Sequence, residues 1–436
     1  MVQLSRRGFL QAAGTAGGGA LAGGTISSLL SGRDVEQTAP SEESQQFFGT
    51  WHASPQPPYD SGISQEGFAD ETYRLMTRTS IGGRGLRLRF ANTFSSDSLT
   101  LEEVSVGVRD SGASIEEGTL RTVTFGGDDS ITIPGGGRVL SDSVSLSVEP
   151  EQDLATSVYI SESTGPTTWH QLPTKTSYTS ESGNLTGTAL GSGFSEEFTH
   201  WFFLEGIEVI NPDTVGSVVC LGNSITDGFN STIDANAAYP DFLAERVNET
   251  ESLRKSVLNA GISGNRILHD SPCCGVNALT RYDRDILAQP EVTDVILLEG
   301  INDIGFENFE DPQFAPPTSV SAEEIIDGMQ QLIRRAHSHE VRILGGTLTP
   351  FEGASYFYEE GEQKRQRVNE FIRTSGAFDG VIDFDRAIRD PSDQRQILSE
   401  FDSGDNLHPN DAGYEAMANE VNLDLLQQQE QGQVTG

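Results

Sequence analysis

The sequence predicts a two-part fold: an all-β sandwich or jelly roll over residues 47–212, then an α/β domain with a parallel sheet over residues 213–426. Three observations predict it. Apolar and polar residues alternate in short runs through the first part, strand-like and helix-like segments alternate through the second, and the pattern changes near Asp213. A chain of 436 residues also exceeds one compact core, since domains average about 150 residues.

The chain opens with Ser5-Arg6-Arg7-Gly8-Phe9-Leu10 ahead of a weakly apolar, Ala- and Gly-rich run that ends near Leu30. Twin arginines before such a run resemble a Tat-type export signal, which sets residues 1–31 apart from the fold and implies an extracellular or cell-surface protein. Too many Gly, Ser and Thr interrupt the run for a stable membrane span. Residues 32–46 are polar and aperiodic, as a linker is, and residues 427–436 read as a flexible tail.

In the first part, Leu86, Leu88 and Phe90 alternate with Arg87 and Arg89, and Val104, Val106 and Val108 repeat the pattern. Ile131 and Ile133 follow it, as do Val144, Leu146 and Val148. Clusters such as Gly126-Gly127-Asp128 and Gly135-Gly136-Gly137 separate the runs, and no stretch has a helical period.

In the second part, strands are expected at Val218 to Leu221, Val257 to Leu258, Val295 to Leu298, Ile343 to Leu344 and Val381 to Phe384. Helices are expected at Tyr239 to Asn248, Ala278 to Leu287, Ala322 to Ser338, Glu362 to Arg373 and Ala412 to Leu426, with Ser321 and Glu324 forming a capping box. Such an order implies a parallel sheet covered on both faces, with ligands at the carboxyl ends of its strands.

There are 65 Asp plus Glu against 28 Lys plus Arg, a formal charge of -37, with Lys only at Lys175, Lys255 and Lys364. The acids are spread through patterned segments, so they belong to a folded surface and not to a disordered arm. Self-repulsion on this scale is relieved where the Debye length shrinks to about 3 Å near 1 M salt, which points to a salt-rich setting. The same charge argues against nucleic acid or an anionic membrane as partner. Three cysteines, Cys220, Cys273 and Cys274, make no disulfide framework. Cys220 sits in an expected core strand, and the adjacent Cys273 and Cys274 are either a vicinal bridge or two loop thiols. No Cys/His set has zinc spacing.

Four segments at strand ends carry chemistry. Gly222-Asn223-Ser224-Ile225-Thr226-Asp227-Gly228 follows the first strand; the glycine lets the chain turn so that the Ser224 hydroxyl stands at the sheet edge. Its amide opens a loop toward a helix, where free N–H groups favour negative charge. Asn259-Ala260-Gly261-Ile262-Ser263-Gly264-Asn265-Arg266 follows the second strand, where Gly264 can bring a bare amide near a substrate oxygen. Glu299-Gly300-Ile301-Asn302-Asp303 follows the third and offers the Asn302 amide. Asp402-Ser403-Gly404-Asp405-Asn406-Leu407-His408-Pro409 precedes the last helix; a carboxylate three residues before a histidine can take one ring nitrogen while the other faces outward. Taken singly, each of the first three segments is more often a turn, a loop glycine or a cap, whereas the Asp-x-x-His-Pro setting singles out His408. His52 and His170 fall in the β-rich part, and His337 and His339 at a helix end where capping or solvation is expected.

Together the four blocks resemble the SGNH/GDSL hydrolase family over the stretch from Val215 to Leu426. The resemblance implies a flavodoxin-like SGNH hydrolase domain, with Ser224 as nucleophile, His408 as base and Asp405 as its orienter. It further implies an oxyanion hole formed by the Ser224 amide, Gly264 and Asn302, with no metal or cofactor. The first part, beginning Gly49-Thr50-Trp51-His52-Ala53-Ser54, looks like the leading part of secreted two-part SGNH proteins, some associated with polysaccharide degradation. Asn223 departs from the family's usual Asp, which removes a charge beside the nucleophile and bears on the pH optimum. The reaction implied is hydrolysis of carboxylic esters through an acyl-enzyme. With no long apolar lid in the sequence, short acyl groups are expected, notably acetyl on polysaccharide. Lipase or arylesterase action on other esters is one alternative. Another is a cell-surface carbohydrate-binding protein with little catalysis, in which Trp51 and Trp169 either line a sugar site or lie in the core.

Overall fold

The computed structural model describes residues 46–172, 174–309 and 315–427. The expected signal, all but the last residue of the linker, and residues 428–436 of the tail lie outside them.

The leading part is a sandwich of antiparallel sheets, as its alternation requires. A four-stranded sheet runs in the order Phe47–His52, Leu204–Ile210, Leu86–Ala91, Arg138–Leu140. A six-stranded sheet runs Phe194–Phe198, Ser177–Ser180, Glu71–Arg78, Asp153–Ile160, Glu103–Val108, Arg121–Val123. Leu86, Leu88 and Phe90 from the first meet Leu75, Val104, Val106 and Val158 from the second in one core. Val144, Leu146 and Val148 are buried there too, but they do not form the expected strand. The Leu146 N–H donates back to the Val144 carbonyl at 2.9 Å, a tight turn that leaves only isolated bridges at Val144 and Val148.

The polar side of the Leu86–Ala91 alternation is not a solvent face. Arg87 and Arg89 both pair with Glu208, at 2.6 and 3.1 Å, and Arg89 also pairs with Glu205 at 2.6 Å. Arg89 Nη2 then donates 2.7 Å to Gln289 Oε1 in the α/β part. Arg89, Glu205 and Glu208 are therefore buried, with Arg89 where the two parts meet, while Arg87 stays half-buried, and all described residues fall in one compact unit.

The α/β part is a five-stranded parallel sheet in the spatial order Ser256–Gly261, Ser217–Gly222, Val292–Leu298, Arg342–Gly346, Gly380–Ile382. Counted along the chain this is 2-1-3-4-5, the flavodoxin-like order, which places the end of Ser217–Gly222 beside the switch in strand direction of travel. Helix Ala322–Ser338 begins at the expected capping box: Ser321 Oγ accepts from Glu324 N at 3.2 Å and Ser321 N donates to Glu324 Oε2 at 2.8 Å. It buries Ile325, Met329, Leu332 and Ala336 against the sheet.

Several boundaries differ from expectation: helix Glu359–Thr374 and strand Ser256–Gly261 are longer than expected at both ends, and three other elements end differently. The segment expected as one helix over Ala278 to Leu287 is α-helical to Tyr282 and widens to a π turn over Asp283–Leu287, where Asp285 is buried between Arg281 and Arg284. The last strand stops at Ile382 because Asp383 caps a short helix, Phe384–Ile388, accepting from Arg386 N at 3.2 Å. The final helix is Asp411–Glu420 with Asn410 as its cap, and it ends short of the expected Leu426, where a separate 3-10 turn, Leu423–Leu426, follows.

Candidate active site

Gly222 ends the first parallel strand under the Leu298 carbonyl, where a Cβ would fall 2.6 Å from that oxygen. The chain then enters a one-turn helix, Ser224–Asp227, capped by Asn223, whose Oδ1 accepts from Ile225 N at 3.1 Å. Asn223 thus holds the turn by the side-chain oxygen that an Asp would also offer. Gly228 closes the turn at φ +99°, a conformation that disfavours any side chain.

His408 meets this serine across 184 positions of sequence. Its Nε2 lies 2.8 Å from Ser224 Oγ, and its Nδ1 lies 2.7 Å from Asp405 Oδ2. Asp405 Oδ1 also accepts from the backbone of Leu407 at 3.0 Å and of His408 at 2.8 Å. Partial burial pushes the Asp405 carboxyl up, but the hydrogen bond and charge of His408 and these two N–H groups together hold it down to about 2. A carboxylate on Nδ1 leaves Nε2 as the acceptor for the serine proton. Phe229 packs on the imidazole with ring centroids 4.5 Å apart, and its own carbonyl is fixed by Tyr414 Oη at 2.7 Å.

The other two loops arrive at the same rim. Ser224, Gly264, Asn302, Asp405 and His408 line one cleft of about 440 Å³. Gly264 adopts φ +76° with a disulfide-paired Cys273 and Cys274 packed where its Cβ would lie, so only glycine fits. The Asn302 amide donates to the Asn265 carbonyl at 3.0 Å, and Asp303 accepts from Ile267 N and Leu268 N at 2.8 and 3.0 Å. Burial raises the Asp303 carboxyl to about 6 despite those bonds. Pre-aligned donors and a serine–imidazole pair in one cleft can attack a carbonyl and stabilise the oxyanion that results.

Other assigned residues separate. His52 is buried on the Glu205 carbonyl, and His337 is bonded to Asp379 at a helix end. Trp51 and Trp169 are 9% and 5% exposed, with Trp51 edge-on to Trp201 and Trp169 Nε1 on the Pro57 carbonyl. They are core residues, which removes the sugar-site option for them. The sequence reading missed Gln171 and Leu172, which line the cleft from the β-rich part, and Tyr356, which donates to Asn302 Oδ1 at 3.1 Å. No local pattern marks these three. Among the described residues no cluster of His, Cys, Asp and Glu could hold a metal ion, and no helix is long and apolar enough to cross a membrane.

Among curated proteins none matches this chain in sequence. Solved structures similar to it include a putative lipolytic protein of the G-D-S-L family from Desulfitobacterium hafniense, with 19% identity and TM-score 0.36, covering 47% of this chain and 96% of that one. Another is the α/β hydrolase LAE5 from the metagenome of Lake Arreo, with 18% identity and TM-score 0.38, covering 49% and 95%. A third is an acetyl-xylooligosaccharide esterase from Geobacillus, with 18% identity and TM-score 0.38, covering 50% and 96%. Residues 220–416 match the GDSL-like Lipase/Acylhydrolase family. That stretch runs from inside the first parallel strand into the last helix and contains every strand-end loop described above, so the α/β part of this chain is a GDSL-like lipase/acylhydrolase domain and the protein a carboxylic ester hydrolase.

Proposed function

We propose that the protein is an exported esterase for short acyl groups, notably acetyl on carbohydrate, with Ser224 as nucleophile, His408 as general base and Asp405 as its orienter. The observation that carries the reading is the pair of contacts on one imidazole, 2.8 Å to Ser224 Oγ and 2.7 Å to Asp405. His408 takes the serine proton as Oγ attacks the ester carbonyl and gives it to the alcohol that leaves; the neutral imidazole then deprotonates the water that hydrolyses the acyl-enzyme and returns that proton to Ser224 Oγ as the acid departs. The Ser224 amide, Gly264 and Asn302 serve the oxyanion.

A cleft of about 440 Å³ supports the short-acyl reading. It lies low in the range of roughly 300–1,000 Å³ typical of small-molecule sites, enough for a small acyl group and part of a sugar alcohol. Gln171, Ser263 and Ser355 give that cleft polar positions that a sugar hydroxyl can use. Export rests on the twin-arginine segment and a salt-rich habitat on the charge of -37.

Ser224→Ala should abolish hydrolysis of p-nitrophenyl acetate and labelling by a serine-directed phosphonate. Labelling that survives the substitution assigns the nucleophile elsewhere. Rates across acyl lengths from two to sixteen carbons test the acyl preference, and a maximum at long chains makes the protein a lipase instead.

A further inference from the structure

The β-rich part reaches into the hydrolase domain through one side chain. His170 is 4% exposed; its Nε2 lies 3.0 Å from Asp227 Oδ1, and its Nδ1 lies 2.9 Å from the Ser54 carbonyl. A carbonyl and a carboxylate only accept, so both ring nitrogens carry hydrogen when both bonds are made. The ring is then an imidazolium paired with a buried carboxylate, and the field of Asp227 raises the His170 pKa against the opposing cost of burial and of nearby Arg281.

The second oxygen of that carboxylate is spent on the oxyanion loop. Asp227 Oδ2 accepts from the Ser263 backbone N–H at 2.9 Å and from Ser263 Oγ at 2.7 Å. Ser263 immediately precedes Gly264, and the second strand presses on the same carboxylate's backbone: a Cβ on Gly261 would collide with the Asp227 amide. Asp227 itself ends the one-turn helix that begins at Ser224. One carboxylate therefore fixes the Gly264 loop relative to the nucleophile, and an imidazolium from the other half of the chain fixes the carboxylate.

We propose that His170 is a positioning residue for ester hydrolysis: acting through Asp227 and Ser263, it holds the Gly264 amide where the oxyanion forms, so that the β-rich part completes the active site and is more than a neighbour of it. The inference rests on the oxyanion role given to Gly264 above. A donor displaced by a fraction of an ångström loses transition-state stabilisation while ground-state binding barely changes.

The test uses the full chain with His170→Phe, His170→Gln and Asp227→Asn, beside Ser224→Ala as control. With His170→Phe, kcat on p-nitrophenyl acetate should fall about 10- to 100-fold while KM moves less than about 3-fold, part of the loss typical for one oxyanion donor. The Ki of phenylboronic acid, whose serine adduct places an oxygen in the oxyanion hole, should rise by the same factor. His170→Gln, which can still donate to Asp227, should recover most of both. Asp227→Asn, close in shape but uncharged, should show the same split between kcat and KM and covers the case in which the phenylalanine variant does not fold. Full kcat and unchanged Ki in His170→Phe or Asp227→Asn, with Ser224→Ala inactive, overturn the positioning role and leave the nucleophile standing. A loss that active-site titration traces wholly to fewer competent molecules also overturns it. Hydrolysis retained by Ser224→Ala sinks the underlying reading instead.

Discussion

Asn302 is gripped at both ends of its amide: Nδ2 donates 3.0 Å to the Asn265 carbonyl, and Oδ1 accepts 3.1 Å from Tyr356 Oη. The Asn265 carbonyl, which can only accept, settles which way the amide faces, and one Nδ2 hydrogen remains to serve the cleft that Asn302 lines. Asn302→Ala should therefore lower kcat by about 10²- to 10³-fold with little change in KM. Tyr356→Phe, which releases the oxygen end of the amide but leaves the donor held by the Asn265 carbonyl, should cost less. Steady-state kinetics on an acetyl ester checks both, and equal losses in the two variants would mean that Tyr356 acts on the substrate directly.

Acid should destabilise the protein through His52. Its ring is buried on the Glu205 carbonyl at 2.7 Å, and burial, helped by the Arg89 charge, lowers its pKa to about 3. Below its ordinary value of about 6.5 the unfolded chain gains a proton that the folded chain refuses, so stability is full above that pH and falls as pH drops toward 3, by roughly 1.4 kcal/mol per unit. Between pH 6.5 and 5 the loss is about 2 kcal/mol. His52→Gln should flatten this slope in denaturant titrations; parallel slopes for wild type and variant would assign the acid sensitivity to other groups.

The parts of the site that were legible in the sequence are those written in contiguous residues. Gly222 to Gly228 and Asp405 to His408 each fix a local geometry, and alternating strands and helices put them at one sheet edge. What joins them to the β-rich part was not legible, because it depends on pairs far apart in the chain. Arg89 stands in the sequence only as a polar residue of an alternating run, and it is buried on Glu205, Glu208 and Gln289. His170 read as one more histidine in the sandwich, and its partner Asp227 lies 57 positions away. The Val144 to Val148 run failed for the opposite reason: a hydrogen bond between near neighbours outcompeted the ladder that the alternation suggested.

Salt should stabilise the fold. A chain of charge -37 repels itself, and raising ionic strength from about 0.1 M to 1 M shortens the Debye length from about 10 Å to about 3 Å. Melting temperature should climb through that range in both sodium and potassium chloride, and an isosmotic sucrose series should reproduce little of the rise. A flat or falling melting curve would remove the case for a salt-rich habitat.

Arg281 should be the costliest single truncation at the junction between the two parts. It is 1% exposed and spends its donors on both strands that flank the nucleophile loop, 2.9 Å to the Gly222 carbonyl and 2.7 Å to the Ala260 carbonyl. It also donates to Asn265 Oδ1 at 2.9 Å and reaches Ser54 of the β-rich part at 3.2 Å, while its charge faces Asp285. Arg281→Ala removes the shared donor and strands several buried acceptors, a change that costs about 3–5 kcal/mol where a buried pair is broken. Asp285 keeps Arg284 at 2.5 Å, which places the expected loss toward the lower end. Arg281→Lys restores the charge but not the fork, and a single ammonium cannot span two strands, so it should recover only a minor share. Chemical denaturation followed by tryptophan fluorescence reads the loss in the β-rich part, where all three tryptophans lie, although the substitution sits in the other. Coincident loss by fluorescence and by esterase activity is expected of two parts that unfold together. Activity lost well before the fluorescence transition would show instead that the junction is weak and that the sandwich stands without the hydrolase domain.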